Sequence, residues 1–358
     1  MNLTGVLSYL EKLIGFDTQN PPRSLDGDSP IFSWIREVLG TQFEIELTDH
    51  GLGRVSFLAL RGKPEFLFNV HLDTVPVIKG SRFPALEMSR VGNRVYGRGS
   101  CDIKGAAACL LEVAASTDEP MAILFTTDEE GASGICVNEF VRSEQCGAFS
   151  QVVVAEPTDC QAILSHRGYL SVKGQFSGVS GHSSEPRALT DNALHKLCNW
   201  VAMAVAAAGQ LETEGRRPCF NVGEVHGGIK SNVIADEARL HWSARLVPGE
   251  SNDEFLDLMK GLAGNDPVSW EVPFSGPPLP TDGRDISEAK AFAESHGLES
   301  GPAVNFWTEA SLFAQAGYPA IVLGPGNIAQ AHVVDEWVSL EQLERALVIY
   351  TKMVRGHD

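Results

Sequence analysis

Three short apolar runs in the first half of the chain each end in acidic or histidine residues, and this arrangement limits the fold more than any other feature. Phe66–Val70 runs into His71-Leu72-Asp73, Met121–Thr127 into Asp128-Glu129-Glu130-Gly131, and Val152–Ala155 into Glu156-Pro157-Thr158. Apolar runs of four to eight residues rich in Val, Ile and Phe read as buried strands. The order of strand, acidic loop and helix argues for an α/β layer with its chemistry at the strand ends.

The flanking segments fit that layer. Val6, Leu7, Leu10, Leu13 and Ile14 give a first helix one apolar face, and Asn20-Pro21-Pro22 breaks the chain after it. Ser29 is a good N-cap with Pro30 at N1, and the helix it opens stops at Gly40. Phe43–Leu47 and Val55–Leu60 are two more strands. Val95–Asp102 reads as a short strand and a glycine-rich turn leading into Ile103–Leu111, a small-residue helix suited to close packing on a sheet.

The pattern changes near Arg167-Gly168. Leu170–Phe176, Phe220–Val225 and part of Asn232–Leu246 alternate as strands with one exposed face do. An alanine-rich helix from Asp191 to Ala208 lies between the first two, with Gly209 as its stop, and Ser251 with Glu254 opens another in capping-box spacing. Residues 167–273 are therefore expected to form a smaller α+β unit between two parts of a catalytic domain, 1–166 and 274–358, with the Pro- and Gly-rich Pro273–Pro280 as the linker back. The tail returns to α/β order: a helix near Ile286–Ser295, a strand Ala303–Phe306, a helix after Glu309, a strand Ala320–Leu323, and a last helix from Ser339 with Gln342 closing a capping box.

Composition excludes some partners. The formal charge of −18 would repel nucleic acid and anionic membrane surfaces. No apolar stretch is long enough to span a bilayer, and Met1–Phe16 lacks the basic-then-apolar order of a signal peptide. Seven cysteines without a Cys-x-x-Cys pair suggest free thiols, so a cytoplasmic location is expected.

Five residues at strand ends or in loops are candidate metal ligands: His71, Asp102, Glu130, Glu156 and His332. Singly, each is as readily a solvated polar group. Together, two His and three carboxylates suit two divalent ions that share one bridging carboxylate. Asp73 is placed to hold the second ring nitrogen of His71, and Glu129 is a free carboxylate suited to act as general base.

Across nearly its whole length the chain resembles the co-catalytic zinc amidohydrolases that include acetylornithine deacetylase, succinyl-diaminopimelate desuccinylase, aminoacylase and glutamate carboxypeptidase. The resemblance rests on His71–Pro76, Gly97–Gly105, Asp128-Glu129-Glu130, Ala155–Thr158 and Gln330-Ala331-His332. It implies a zinc-exopeptidase-like α/β/α catalytic domain with an inserted lid and dimerisation domain, and therefore a homodimer. Asp102 would bridge two zinc ions, or cobalt in their place. His71 and Glu156 would hold one ion and Glu130 and His332 the other, with Asp73 orienting His71 and Glu129 as base. The resemblance also implies a cis peptide at Asp102–Ile103. Cys101 departs from the usual Ala or Thr and is open to either an inert or a reactive reading.

The middle unit resembles the family's lid. Ser180–Ser184 looks like the motif whose histidine, here His182, holds the oxyanion. Asn232, Lys230 and Arg245 are candidates to bind the substrate carboxylate, with structural roles equally open. Thr308-Glu309-Ala310 looks like an acetylornithine deacetylase signature, and Asn305–Phe313, Gly324–His332, Phe16–Arg23 and Cys101–Ala108 resemble the short branch that includes acetylcitrulline deacetylase. Glu309 is thereby a further substrate-binding candidate. The implied reaction is removal of the acetyl group from an acetylated amino acid of arginine biosynthesis. The alternative is an aminoacylase or dipeptidase of the same family. Gly324-Pro325-Gly326-Asn327-Ile328-Ala329 formally fits a dinucleotide fingerprint, but Pro325 sits inside it and no second βαβ unit follows.

Overall fold

The computed structural model describes residues 2–22, 25–131, 133–281 and 286–356. Met1 and Arg23, each part of a stretch discussed above, lie outside them. The chain forms two units. The first comprises Met1–Leu164, Asp285–Ala303 and Thr308–Asp358, and the second Ser165–Arg284 with Val304–Trp307.

The first unit is built on a six-stranded sheet in the order Glu44–Asp49, Val55–Arg61, Met121–Thr126, Phe66–His71, Gln151–Val154, Ala320–Val322. The last four run parallel and the first two pair antiparallel. The parallel strands Met121–Thr126 and Phe66–His71 are buried along their whole length. This explains why they read as unbroken apolar runs. Helix Lys104–Ser116 lies against helices Leu3–Gly15 and Leu340–Arg355 and is buried from Lys104 to Ala114. Its alanines allow that close approach. At Gly105 any side chain would collide with the Ser100 carbonyl. The short strand expected at Val95 is Arg94–Tyr96, and it forms a small sheet with Trp337–Ser339 and Ser89–Val91, whose three residues each are too few to show a period in the sequence.

In the second unit a four-stranded antiparallel sheet runs in the order Cys219–Gly227, Glu237–Arg245, Tyr169–Ser177, Val268–Gly276. Helices Ala193–Thr213 and Asn252–Gly261 share one core with it, around Trp200, Trp242, Phe176 and Phe255. The Trp200 indole donates to Met259 O at 2.9 Å.

Several expectations need correction. The expected linker Pro273–Pro280 belongs to the second unit: Val268–Gly276 is a strand, and His166 bridges Leu279. Pro273 is tolerated because this is an edge strand and its register shifts between Glu271 and Phe274, where no ladder N–H is needed. A boundary after residue 273 therefore falls inside a strand. Gly209 does not stop its helix, which continues to Thr213 and buries Leu211. Ala303–Phe306 is no strand and contributes only the bridge Val304 to His166. Ser29 precedes its helix without capping it, because its hydroxyl donates to Asp26 Oδ1 instead. Ser339 caps the last helix by accepting from Gln342 N, but the Gln342 side chain donates to Asp159 Oδ1 and accepts from Gly326 N rather than closing a box.

Among the described residues no helix is long and apolar enough to cross a membrane. The seven cysteines are unpaired, five of them buried.

Candidate metal centre

Parallel strands deliver their C-terminal ends to one edge of a sheet, and loops there converge. His71 closes its strand, Asp128-Glu129-Glu130 follows Met121–Thr126, and Glu156 follows Gln151–Val154. Asp102 comes from the turn before helix Lys104–Ser116 and is followed by a cis peptide at Asp102–Ile103. His332 lies beyond the short turn Ile328–Gln330 and adopts a left-handed φ of 56°. For a non-glycine residue that is an uncommon conformation, held by its surroundings.

The side chains form two groups with one shared member. His71, Asp102 and Glu156 make one, and Asp102, Glu130 and His332 the other. His71 Nε2 lies 3.0 Å from Asp102 Oδ1 and 3.4 Å from Glu156 Oε1. His332 Nε2 lies 3.1 Å from both Asp102 Oδ2 and Glu130 Oε1. The two Asp102 oxygens thus face different histidines, as a bridging carboxylate requires. Glu129 also lies against the site, grouped with His71 and Glu130.

The electrostatics describe an acidic centre short of positive charge. Burial, reinforced by Asp102, raises the Glu130 carboxyl to about 7, and the same two causes raise Glu156. Burial raises Glu129 well above the carboxylate range, with Glu156, Glu130 and Asp102 adding to it against His71. Burial also opposes the charge on Asp102, yet His332 and His71 outweigh it and hold that carboxyl well below its usual range. His332 is drawn up to about 11 by Asp102 and Glu130. Carboxylates crowded this closely call for cations between them, and imidazole with carboxylate oxygen suits borderline to hard divalent ions. The residues present therefore fit divalent metal.

Asp73 is placed differently from the expectation. The His71 Nδ1 partner is the Asp73 backbone carbonyl at 2.9 Å, while Asp73 Oδ1 stands 3.6 Å away without a hydrogen-bond partner. Asp73 Oδ2 instead accepts from Asn20 Nδ2 at 2.8 Å and Glu130 N at 3.0 Å. The carboxylate ties together the loops that carry His71 and Glu130, and the carbonyl fixes the imidazole. Glu309, expected as a substrate contact, sits in a buried setting. It is 1% exposed, accepts from Thr126 Oγ1 at 2.9 Å, and burial pushes its carboxyl up to about 8. It belongs to the buried support of the strand that ends in the acidic loop. Sequence reasoning missed Asn20 as an Asp73 partner, Asp128 as acceptor for Ile135 N and the Ser133 hydroxyl, and Glu336, whose carboxylate is buried beside Asp102. The Cys101 thiol is buried, is pushed well up by burial and then by Glu336 and Asp102, and lies against Asn327 O and Gln330 Oε1.

The segment Gly324–Ala329 makes a packing loop. Thr158 N and Cys160 N donate to Gly324 O, Asp159 N donates to Gly326 O, and only the three-residue turn Ile328–Gln330 follows. Its backbone is spent on the loop that presents Glu156. A Cβ on Gly324 would press on Ala155 O and lie 2.6 Å from Glu156 O. Gly324→Ala is expected to cost about 1–3 kcal/mol, as overpacking against rigid backbone does, and to weaken cation binding. Thermal unfolding of the metal-free protein and a cation titration check this; an unchanged Tm would show that the loop yields freely.

In the second unit, Gly181–His182 pairs with Val233–Ile234, and Ser183 N donates to Asn232 O, so His182 and Asn232 are neighbours. The His182 ring is exposed and meets Ser184 Oγ at 2.8 Å. Lys230 is exposed on the same turn. The Arg245 guanidinium stacks 3.8 Å over the Tyr169 ring.

Comparison with known proteins gives a consistent result. The profile of peptidase family M20/M25/M40 matches residues 67–356. The chain is 41% identical over 367 residues to N-acetyl-L-citrulline deacetylase of Xanthomonas campestris pv. campestris, covering 99% of this chain and 98% of that protein. It is 31% identical over 349 residues to acetylornithine deacetylase of Vibrio campbellii, covering 89% of each. An M20 family metallo-carboxypeptidase from Sulfolobus solfataricus shares the fold, with a TM-score of 0.75 at 16% identity over 99% of both chains. The family profile and these relatives match along most of the sequence, and the chain belongs to peptidase family M20/M25/M40.

Proposed function

We propose that this amide hydrolase removes the acetyl group from N-acetyl-L-citrulline, giving citrulline and acetate in arginine biosynthesis, with N-acetyl-L-ornithine as the competing substrate. The identity to the Xanthomonas enzyme over the full chain carries the choice of substrate. The two ligand groups sharing Asp102, with Glu129 beside them, support the chemistry.

In this reading His71, Asp102 and Glu156 hold one divalent cation and Asp102, Glu130 and His332 a second, zinc by preference with cobalt able to replace it. Such cations supply Lewis-acid polarisation of the acyl oxygen and make water a stronger nucleophile near neutral pH. Glu129 takes the proton of the attacking water and returns it to the departing amine. Asp73 keeps the loops of His71 and Glu130 in register. His182 is the proposed donor to the oxyanion, worth about 3–4 kcal/mol for such a donor. Asn232, Lys230 and Arg245 are proposed to receive the substrate carboxylate.

A homodimer through the second unit is part of the same proposal. Its edge strand Cys219–Gly227 leaves ladder groups unpaired and Val225 46% exposed, and helix Ala193–Thr213 exposes Met203 and Val205. The cytoplasm suits seven unpaired cysteines.

The test is acetate release from N-acetyl-L-citrulline, N-acetyl-L-ornithine and a dipeptide panel, measured side by side on zinc- or cobalt-loaded protein. Faster release from the citrulline derivative is expected. Preference for the ornithine derivative would move the substrate, and cleavage of dipeptides alone would favour the dipeptidase alternative.

A further inference from the structure

We infer that Glu336 is a positioning residue for the metal centre: its carboxylate holds the backbone of the loop that presents Asp102, so that both ligand groups can be filled together. The inference rests on the two-cation reading above.

The geometry is unusually complete for one carboxylate. Glu336 Oε1 accepts from Cys101 N at 2.9 Å and from Asp102 N at 3.0 Å. Oε2 accepts from Gly99 N at 3.0 Å and from Arg98 Nη1 at 2.6 Å. An ionised carboxylate has about four acceptor directions, and here all are used. Both side chains of the ion pair are almost fully buried, at 3% and 2% exposure, so little water competes for these bonds. The donors are the peptide N–H of Asp102 itself and those of its near neighbours, so the carboxylate fixes the direction in which Asp102 leaves the main chain.

Arg98 extends the clamp. Its Nη2 donates to Pro76 O at 3.4 Å and Val333 O at 3.3 Å. Pro76 lies on the loop after His71 and Asp73, and Val333 follows His332. One buried ion pair therefore touches the loops carrying His71, Asp102 and His332. Glu336 is anchored in turn, because Gly97 N donates to its carbonyl and the next residue, Trp337, pairs with Tyr96. A carboxylate that binds no metal but sets the orientation of one that does belongs to the supporting groups on which metal affinity depends.

Glu336→Gln and Glu336→Asp test the clamp. Glutamine offers one acceptor oxygen and turns its NH₂ toward backbone donors; aspartate keeps the charge but is one methylene too short. Both are titrated with Mn²⁺, and the loaded proteins are followed by electron paramagnetic resonance. Wild type is expected to bind two ions with an exchange-coupled signal. Each variant is expected to lose about 10- to 100-fold in affinity for the two-ion state, with the coupled signal giving way to that of isolated ions. Thermal unfolding of the metal-free proteins reports separately on stability. Hydrogen exchange on metal-free wild type needs no variant: the amides of Gly99, Cys101 and Asp102 are expected to be protected. Wild type that binds no divalent ion would overturn the metal reading. Wild type that binds two while a folded variant keeps full affinity and coupling, or fast exchange at those three amides, would overturn the clamp and leave the metal reading standing.

Discussion

Glu129→Gln is expected to lower kcat by about 10³–10⁴-fold, near the upper end of what general acid–base catalysis contributes, while both cations stay bound. Glutamine has the shape of glutamate but takes no proton from water and returns none to the amine. The role assigned to Glu129 rests on what surrounds it. Asp102 unites the two ligand groups, and Glu129 stands outside both, yet within reach of His71 and Glu130. That proximity also permits a different role, as a ligand. Metal content and turnover measured on the same sample separate the two. Full metal content with turnover lost supports the base. Loss of an ion along with turnover would make Glu129 a ligand, and near-normal turnover would remove it from the mechanism.

Asp102→Asn is expected to have the second large effect, and through a different cause. Both ligand groups use this side chain, one oxygen facing His71 and the other His332. Asparagine keeps the volume and the backbone N–H that donates to Glu336 Oε1. It removes the charge and replaces one ligand oxygen with NH₂. Cation stoichiometry should fall from two to at most one, and affinity by more than the roughly 10- to 100-fold that loss of a supporting residue costs. Metal analysis after dialysis, alongside acetate release, provides the check. Two tightly held ions in this variant would mean that another group bridges them.

These residues were legible in the sequence because of where they stand. His71, Glu130 and Glu156 follow apolar runs whose burial forces them to the ends of parallel strands. Asp102 and His332 sit among glycines and small residues that mark turns. What escaped was held by backbone. Glu336 is recognised through peptide N–H groups, which carry no residue identity, and its partners Gly99 to Asp102 lie far away in sequence. The strand that carries it into place, Trp337–Ser339, is too short to give a period. Asp73 lies beside His71 as expected, but its carbonyl rather than its carboxylate accepts from the ring, the carboxylate being taken up by Asn20 and Glu130 N. Pro273 and the neighbouring prolines and glycines suggested a linker, whereas an edge strand with a shifted register accommodates them.

The insertion of the second unit between Leu164 and the helix Ser287–Ser295 sets an order in time. As the chain leaves the ribosome, His71, Asp102, Glu129, Glu130 and Glu156 emerge before any of the insertion, and His332 and Glu336 only after all of it. The first ligand group is thus covalently complete while the second still lacks its histidine. The last few dozen residues are therefore the ones that complete the proposed second group.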